Sequence, residues 1–175
     1  MSGFPHFRNG LVGPIIILLS ICLVVTGAVA ATYVYTAPII EEVDRTAAIE
    51  ARQEVLPAAD DFTRVDAPLP EGVDEGFRAN NGAGYVFRAS AKGFGGLVPF
   101  MIGMDADGNV TGIKMLDNNE TPGLGSKAGE ADYLSRYYGG ADPGGVDGIS
   151  GATLTTNALK NALALAREAY QAATR

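Results

Sequence analysis

The chain has 175 residues, 13 of them basic and 20 acidic, for a net charge of −7. This length leaves room for one domain and an appendage, and so acidic a chain is a poor ligand for nucleic acid. The only cysteine, Cys22, and the only histidine, His6, both precede residue 40. The remainder therefore excludes a disulfide, a Cys/His zinc or iron–sulfur site, and Ser-His-Asp or Cys-His catalysis.

An apolar segment near the N-terminus predicts a membrane-spanning helix. No charged residue lies between Arg8 and Glu41, and residues 11–31 are almost entirely apolar. About 20 helical residues at 1.5 Å each span the ~30 Å hydrocarbon core of a bilayer. A cleaved signal peptide is the alternative, because Ala28-Val29-Ala30 has the small residues of a cleavage site. A signal peptide has an apolar core of only about 7–15 residues, so the longer run favours a retained anchor.

The distribution of charge predicts the orientation of this helix. Arg8 precedes it, so the positive-inside rule places a stub of residues 1–10 in the cytoplasm and the domain on the periplasmic, extracytoplasmic side of the inner membrane. Arg45, which lies close behind the helix, weakens this asymmetry. All 20 acidic residues lie beyond residue 40. We therefore expect only the helix to engage the lipid bilayer.

Residues 32–72 are predicted to link the anchor to the domain. Ile39 to Val55 has the composition of a charged helix, and Pro68-Leu69-Pro70 indicates an irregular loop. The domain itself is predicted over residues 73–175. Its fold class is expected to be α+β, with an antiparallel or mixed sheet and flanking helices.

Strand patterns begin at Gly84. The predicted strands are Gly84 to Ser90, Leu97 to Met104 and Val110 to Asp117. A hairpin over Asp105 to Asn109 joins the last two, with Gly108 suited to a positive φ angle. The acidic residues of this hairpin do not have EF-hand spacing, which argues against calcium. Gly93-Phe94-Gly95 begins like a dinucleotide-binding loop, but Val98 occupies the third glycine position.

Two helices are predicted towards the C-terminus. One covers Ala128 to Tyr138, where Tyr133, Tyr137 and Tyr138 are expected to be core or surface aromatics rather than cofactor contacts. The other runs from about Thr156 to Ala172, since apolar residues recur there at helical spacing.

The segment Asp147-Gly148-Ile149-Ser150-Gly151-Ala152-Thr153 sets an unhindered hydroxyl in a turn of small residues before the last helix. A helix start has unpaired N–H groups and the positive end of the peptide dipole, so this turn is suited to hold a phosphate without a basic side chain. The alternative is an ordinary helix start in which Thr155 or Thr156 caps the first turn.

A second motif, Glu120-Thr121-Pro122-Gly123-Leu124-Gly125, lies upstream. Pro122 restricts the backbone, the glycines permit close approach and Leu124 offers apolar surface, so the loop is suited to lie against a planar ring. A tight surface turn after a strand is the alternative.

In this order, the two motifs resemble those of the FMN-binding domain of two respiratory proteins. These are the G subunit of the Rnf electron-transport complex and the C subunit of the sodium-translocating NADH:quinone oxidoreductase. The resemblance extends from the anchor to the closing helix, and the absence of a larger insertion favours the G subunit. In that family a flavin transferase links the phosphate of FMN to a threonine hydroxyl through a phosphoester. The matching position is Thr153, with Thr155 and Thr156 close by.

The resemblance implies a membrane-anchored flavoprotein subunit that relays electrons through covalently bound FMN in an ion-translocating ferredoxin:NAD⁺ oxidoreductase. Such a subunit would not be catalytic alone. Its implied partners are the other membrane and iron–sulfur subunits of the complex and, during maturation, a flavin transferase. The expected cofactor-site residues are Thr153, Ser150, Gly151, Ala152, Leu154, Thr155, Glu120, Thr121, Leu124 and Gly125, with Asp147 and Gly148 recognised by the transferase and no metal ligand.

Two alternatives to this function remain. One is a standalone anchored flavoprotein that passes electrons to an acceptor outside the cytoplasm. The other is a membrane-anchored assembly module without redox chemistry, in which the threonine turn only begins a helix. A colourless protein without flavin absorbance would indicate the second.

Overall fold

The computed structural model describes residues 12–175, without the side chains of residue 12 and residues 38–45. The predicted N-terminal stub lies outside the described residues. The main elements in chain order are α1 (Val12–Val55), β1 (Phe62–Arg64), β2 (Val73–Ala79), β3 (Gly84–Lys92), β4 (Leu97–Asp105), β5 (Val110–Met115), α2 (Ala131–Leu134) and α3 (Thr153–Ala173). Short 3-10 helices lie at Gly125–Gly129, Ser135–Tyr137 and Pro143–Gly145. The chain divides into two compact units, residues 1–47 and 48–175.

The first unit contains the apolar part of α1. Gly13–Ala37, 25 residues, is long and apolar enough to cross a membrane. The hydroxyls of Ser20, Thr32 and Thr36 each donate to the carbonyl four residues earlier, so these polar groups are satisfied within the helix. The anchor and the linking helix, predicted separately, are one continuous helix that also contains the cleavage-like residues.

The second unit is built on a five-stranded antiparallel sheet in the order β1-β2-β3-β4-β5. The prediction of an α+β domain is therefore confirmed. The three predicted strands correspond to β3, β4 and β5, although β5 ends at Met115 rather than Asp117. Two strands were not predicted, and β1 lies within residues 32–72, which the sequence assigns to the link.

Helix α3 covers one face of the sheet and forms the larger core. Phe87, Phe100 and Ile102 of β3 and β4 pack with Leu159 and Leu163 of α3, and all five side chains are fully buried. Removal of this much apolar surface from water is the main stabilising term of such a domain. The core fixes the start of α3 relative to the ends of β3 and β4.

The opposite face of the sheet carries a smaller core that includes the last turns of α1. Val55 and neighbouring apolar residues pack there, and the Val55 carbonyl accepts a 2.6 Å hydrogen bond from the Thr111 hydroxyl. Gly103 and Gly112 are paired across β4 and β5 beneath this carbonyl. A Cβ on Gly103 would lie 2.2 Å from the Val55 oxygen, so the helix end approaches the sheet this closely only over glycine.

The predicted hairpin between β4 and β5 is present. Gly108 has φ +83°, and the Asp105 carboxylate accepts hydrogen bonds from the N–H groups of Asp107 and Asn109. The helix predicted over residues 128–138 is broken into two short 3-10 helices and the single turn of α2. Helix α3 begins at Thr153, three residues before its predicted start.

Candidate functional site

A cavity of about 300 Å³ lies at the start of α3, a volume at the lower end of the range typical of small-molecule sites. Three segments of the chain line it: the turn between β3 and β4, the loop after β5 and the first turn of α3. The lining residues are Phe94, Glu120, Thr121, Leu124, Gly125, Gly151, Ala152, Thr153, Leu154 and Thr155. The two sequence motifs, which lie about 30 residues apart in the chain, therefore meet at one site.

The first turn of α3 has no side-chain cap. Its N-cap residue is Ala152, so the alternative in which Thr155 or Thr156 caps the helix is wrong. The preceding turn is closed by a hydrogen bond from the Ala152 N–H to the Ile149 carbonyl at 3.0 Å and by the positive φ of Gly151, +81°. Because the first N–H groups of a helix have no intrahelical partner, this start offers an anion both donors and the positive end of the helix dipole.

The three threonines near this turn have different environments. Thr155 and Thr156 are each 1% exposed, and both hydroxyls are engaged. Thr155 donates to Oε2 of Glu120 at 2.5 Å, while Thr156 Oγ1 accepts the Ile149 N–H at 3.1 Å. Thr153 is exposed, lines the cavity and makes no hydrogen bond through its hydroxyl to any described residue. Of these three threonines, only Thr153 therefore has a hydroxyl that is open to a reactant.

Glu120 is a buried carboxylate, 7% exposed, at the junction of the three lining segments. It accepts the Thr155 hydroxyl through Oε2 and the Gly95 N–H through Oε1 at 2.8 Å. A Cβ on Gly93 would lie 2.5 Å from Oε1, and one on Gly125 2.5 Å from Oε2. The carboxylate is thus enclosed by two glycines that leave no room for side chains, and both of its oxygens are hydrogen-bonded.

The Glu120–Gly125 loop presents an apolar wall to the cavity. Gly123 adopts φ +77° and donates its N–H to the Ser126 hydroxyl at 2.8 Å, which closes the turn. Leu124 is thereby held at the surface, partly exposed, and Leu154 of α3 is also exposed beside the cavity. Two exposed apolar side chains that line one small cavity are typical of contact with an apolar ligand surface.

Three of the predicted site residues do not line the cavity. Ser150, Asp147 and Gly148 are exposed in the preceding turn. The Asp147 carbonyl accepts a 3.0 Å hydrogen bond from the Tyr133 hydroxyl, which is also 2.9 Å from that of Tyr137. The Asp147 carboxylate makes no hydrogen bond to any described residue, so it does not cap the turn.

Two buried tyrosines, Tyr133 and Tyr137, lie next to the turn that begins at Asp147, and Tyr133 donates a hydrogen bond to it. Both lie in the larger core and neither lines the cavity, in agreement with the prediction that they are core aromatics. Burial raises the pKa of the Tyr137 phenol well above its ordinary value, and the hydrogen bond to Tyr133 adds to this shift. Tyr137 therefore stays neutral and serves as a structural hydroxyl. Tyr138 is exposed.

Phe94 lines the cavity but was not predicted as a site residue. The glycines on either side of it resemble the start of a dinucleotide-binding loop, a pattern that does not point to the aromatic ring. A large aromatic side chain between three glycines is itself a usable signal, because such a turn has no neighbouring side chains to bury the ring.

Among the lining residues only Glu120 is charged, so no basic side chain reaches the cavity from the described part of the chain. The cavity combines an uncapped helix start, an exposed hydroxyl and apolar walls. These features fit a ligand that has one phosphate and a flat, largely apolar ring.

Comparison with known proteins identifies the class of domain. A family model described as FMN-binding domain matches residues 93–168, a range that contains every lining residue of the cavity. The domain at residues 93–168 is therefore an FMN-binding domain. The chain as a whole belongs to the family formed by the G subunits of ion-translocating oxidoreductase complexes.

The family assignment rests on relatives that match most of the chain. The G subunit of the Na(+)-translocating ferredoxin:NAD(+) oxidoreductase complex of Acetobacterium woodii is 32% identical over 185 residues, with 89% of each chain covered. The G subunit of the proton-translocating ferredoxin:NAD(+) oxidoreductase complex of Clostridium ljungdahlii is 26% identical, with 79% of this chain and 80% of the relative covered. A crystal structure of the C subunit of Na(+)-translocating NADH-quinone reductase from Parabacteroides distasonis aligns with 55% of this chain and 57% of its own, at 23% identity and a TM-score of 0.43.

Proposed function

We propose that this chain carries FMN as a phosphoester on Thr153 and relays electrons through it as one subunit of a membrane-bound, ion-translocating oxidoreductase complex. The observation that carries the proposal is the Thr153 hydroxyl, which is exposed and free of hydrogen bonds to described residues at the uncapped start of α3. Bound FMN supplies the redox chemistry, while the protein supplies position and electrostatics.

Attachment requires an activated donor, since a phosphoester does not form spontaneously from FMN and an alcohol in water. The donor class is a flavin dinucleotide, in which the FMN phosphate is part of a phosphoanhydride. The Thr153 oxygen forms the new O–P bond as the anhydride P–O bond breaks, the nucleoside monophosphate leaves and the hydroxyl proton passes to a base. A flavin transferase supplies that base, because no histidine lines the cavity among the described residues and the Glu120 carboxylate is already engaged.

The charge of the site favours an ester over free FMN. A phosphate monoester carries about −1.5 to −2 at pH 7, whereas the diester formed with Thr153 carries a single negative charge. The helix start provides about half a positive charge and its free N–H groups, and no basic side chain among the described residues lines the cavity. Burial of Glu120 nearby adds a like-charge penalty for a dianion. Covalent linkage thus lowers the charge that the site must stabilise.

The remaining lining residues have separate roles in this proposal. The backbone from Gly151 to Thr155 borders the phosphate, with Ser150 in the preceding turn as a further hydroxyl. Thr121, Leu124 and Leu154 border the ring, where their apolar surface excludes water. Gly125 leaves room for Glu120, whose two hydrogen bonds hold the loop and α3 together.

The apolar helix and the relatives support the proposed membrane location and partners. Gly13–Ala37 anchors the chain in a membrane, and Arg8 before it favours a cytoplasmic N-terminus and a domain on the opposite side. The relatives are named as subunits of complexes that translocate Na(+) in one case and protons in the other. We infer that this chain also assembles with other subunits, which supply the electron donor and acceptor.

Mass spectrometry of the full chain, co-expressed with a flavin transferase, tests the attachment. We expect an added mass of FMN less one water on the peptide that contains Thr153, and loss of that mass in Thr153→Ala. Thr155→Val serves as the matched control. It should keep the flavin, because the Thr155 hydroxyl that it removes is bonded to Glu120 and is not the proposed attachment point. A flavin that survives Thr153→Ala, or that maps to Thr155, contradicts the proposal.

A further inference from the structure

Phe94 is an unusually exposed aromatic residue at the edge of the cavity. It lies in the turn between β3 and β4, which is closed by a 2.8 Å hydrogen bond from the Gly93 N–H to the Gly96 carbonyl. Its side chain is 72% exposed, although aromatic side chains are among those that gain most from burial. The ring nevertheless lines the cavity together with Leu124 and Leu154.

The turn that carries Phe94 is held rigidly against Glu120. The Gly95 N–H donates to Oε1 of the Glu120 carboxylate at 2.8 Å. A Cβ on Gly95 would lie 2.0 Å from the Asn119 carbonyl oxygen, so the backbones of the two segments are in direct contact. The position of Phe94 is therefore set by this contact and not by burial of its own side chain.

From this geometry we propose that Phe94 lies against the flavin ring bound in the cavity and that Glu120 is the positioning residue that holds it there. The proposal rests on the proposed function, since it needs a flavin at this site. Aromatic rings pack favourably against other planar ring systems, and a covered ring face explains why an exposed phenylalanine is placed at the cavity. Leu97 provides a contrast, because it is 69% exposed only three residues away but does not line the cavity.

A tryptophan introduced at position 94 gives a direct signal of contact. The chain has no tryptophan of its own, and an indole in contact with an excited flavin quenches its fluorescence by electron transfer. In the flavin-loaded full chain we expect Phe94→Trp to lower flavin fluorescence by about 2- to 10-fold. This factor is the population ratio of stacked to unstacked rings that follows from the stabilisation of a typical aromatic pair. The matched control Leu97→Trp should leave the fluorescence near that of the wild type.

Access of iodide to the flavin gives a second measurement that does not depend on an introduced ring. Phe94→Ala should raise the Stern–Volmer constant for iodide, because one face of the ring is uncovered. Glu120→Ala should raise it similarly, since the turn loses its anchor. Glu120→Gln should restore low access, because its amide oxygen still accepts the Gly95 N–H. The double variant Phe94→Ala/Glu120→Ala should show no more access than either single variant.

The outcomes separate this inference from the proposed function. Quenching by Phe94→Trp but not by Leu97→Trp, with increased iodide access in Phe94→Ala, supports the inference. If the wild-type chain carries FMN on Thr153 but Phe94→Trp does not quench the flavin and Phe94→Ala does not raise iodide access, the inference is overturned and the proposed function stays intact. Equal iodide access in Glu120→Gln and Glu120→Ala overturns the role of the Glu120–Gly95 hydrogen bond. A wild-type chain without flavin overturns both proposals.

Discussion

The hydroxyl of Thr155 donates a 2.5 Å hydrogen bond to Oε2 of Glu120, and both side chains are buried beside the exposed Thr153. This bond joins α3 to the loop after β5. It also engages the threonine that lies two positions from the proposed attachment site. We expect this contact to contribute to stability and, under the proposed attachment, to leave Thr153 rather than Thr155 accessible.

Glu120→Ala should destabilise the domain. The substitution leaves the buried Thr155 hydroxyl and the Gly95 N–H without their acceptor, and each unsatisfied buried group costs about 1–3 kcal/mol. We expect the midpoint of thermal unfolding of the flavin-free chain, followed by circular dichroism, to fall by several degrees. Glu120→Gln keeps an acceptor, so its midpoint of thermal unfolding should fall less than that of Glu120→Ala. Equal midpoints for Glu120→Ala and the wild type would show that the bond contributes nothing to stability.

Gly151→Ala should impair both stability and flavin loading. Gly151 has φ +81°, a conformation that costs a residue with a Cβ about 1–2 kcal/mol. Its Cβ would also lie 3.3 Å from Cδ2 of Leu124, beside the cavity that is proposed to receive the flavin ring. The measurement is the fraction of chains that carry FMN, by intact mass.

Gly145→Ala is the control for this prediction. Gly145 has no heavy atom within 4 Å of an added Cβ and does not have a positive φ. It should load FMN as the wild type does. Normal loading of Gly151→Ala would mean that the turn can change its conformation without loss of the site.

The sequence identifies two of the segments that line the cavity but not the third. The Glu120 and Thr153 motifs are recognisable because each combines glycines with polar side chains, and the structure brings both to one cavity. Phe94 was missed because its relation to the site depends on a backbone contact between Gly95 and Asn119, residues 24 positions apart. No local pattern encodes such a contact.

Two strands were missed for related physical reasons. β1 has only three residues, too few to show an alternating pattern. In β2, Gly76 occupies an inward position, where its missing Cβ leaves room for the ring of Phe87. Glycine weakens the strand pattern, although here it is needed for packing.

The boundary predicted between the anchor and the linking helix is also absent from the structure. The change from apolar to charged residues after Ile40 marks a change of environment and does not end the helix.

Gly103→Ala should weaken the attachment of the end of α1 to the sheet. A Cβ at this position would lie 2.2 Å from the Val55 carbonyl oxygen, and that oxygen also accepts the Thr111 hydroxyl. Because backbone must shift to relieve the overlap, we expect a loss of about 1–3 kcal/mol in unfolding free energy. Chemical denaturation of the full chain in detergent measures it.

Gly140→Ala is the matched control for Gly103→Ala. The nearest atom to its added Cβ is Oδ1 of Asn109 at 3.5 Å, an ordinary van der Waals contact. Its stability should remain within about 0.5 kcal/mol of the wild type. If both glycine variants unfold at the same denaturant concentration, the close approach of Val55 to the sheet does not contribute to stability.

Asp147→Asn should slow attachment of FMN by the flavin transferase without a change in the stability of the domain. The Asp147 carboxylate is exposed and makes no hydrogen bond to any described residue, and only its backbone carbonyl is used, by Tyr133. The substitution should therefore change the unfolding free energy by no more than about 0.5 kcal/mol. We expect it to slow FMN attachment in a time course with purified transferase and flavin dinucleotide, because a charge that the fold does not use is free to contact the enzyme or a metal ion that it carries.

Asp142→Asn is the corresponding control, since Asp142 lies in the same loop and is also exposed, but its carboxylate accepts the Gly144 N–H. It should load FMN at the rate of the wild type. Gly148→Ala extends the comparison, because its added Cβ would meet nothing closer than 3.5 Å and the fold should accept it. Slow loading of both Asp147→Asn and Gly148→Ala, with unchanged stability, would assign these positions to the transferase interface. If both variants load FMN at the wild-type rate, Asp147 and Gly148 do not belong to the transferase interface, which must then involve residues that line the cavity.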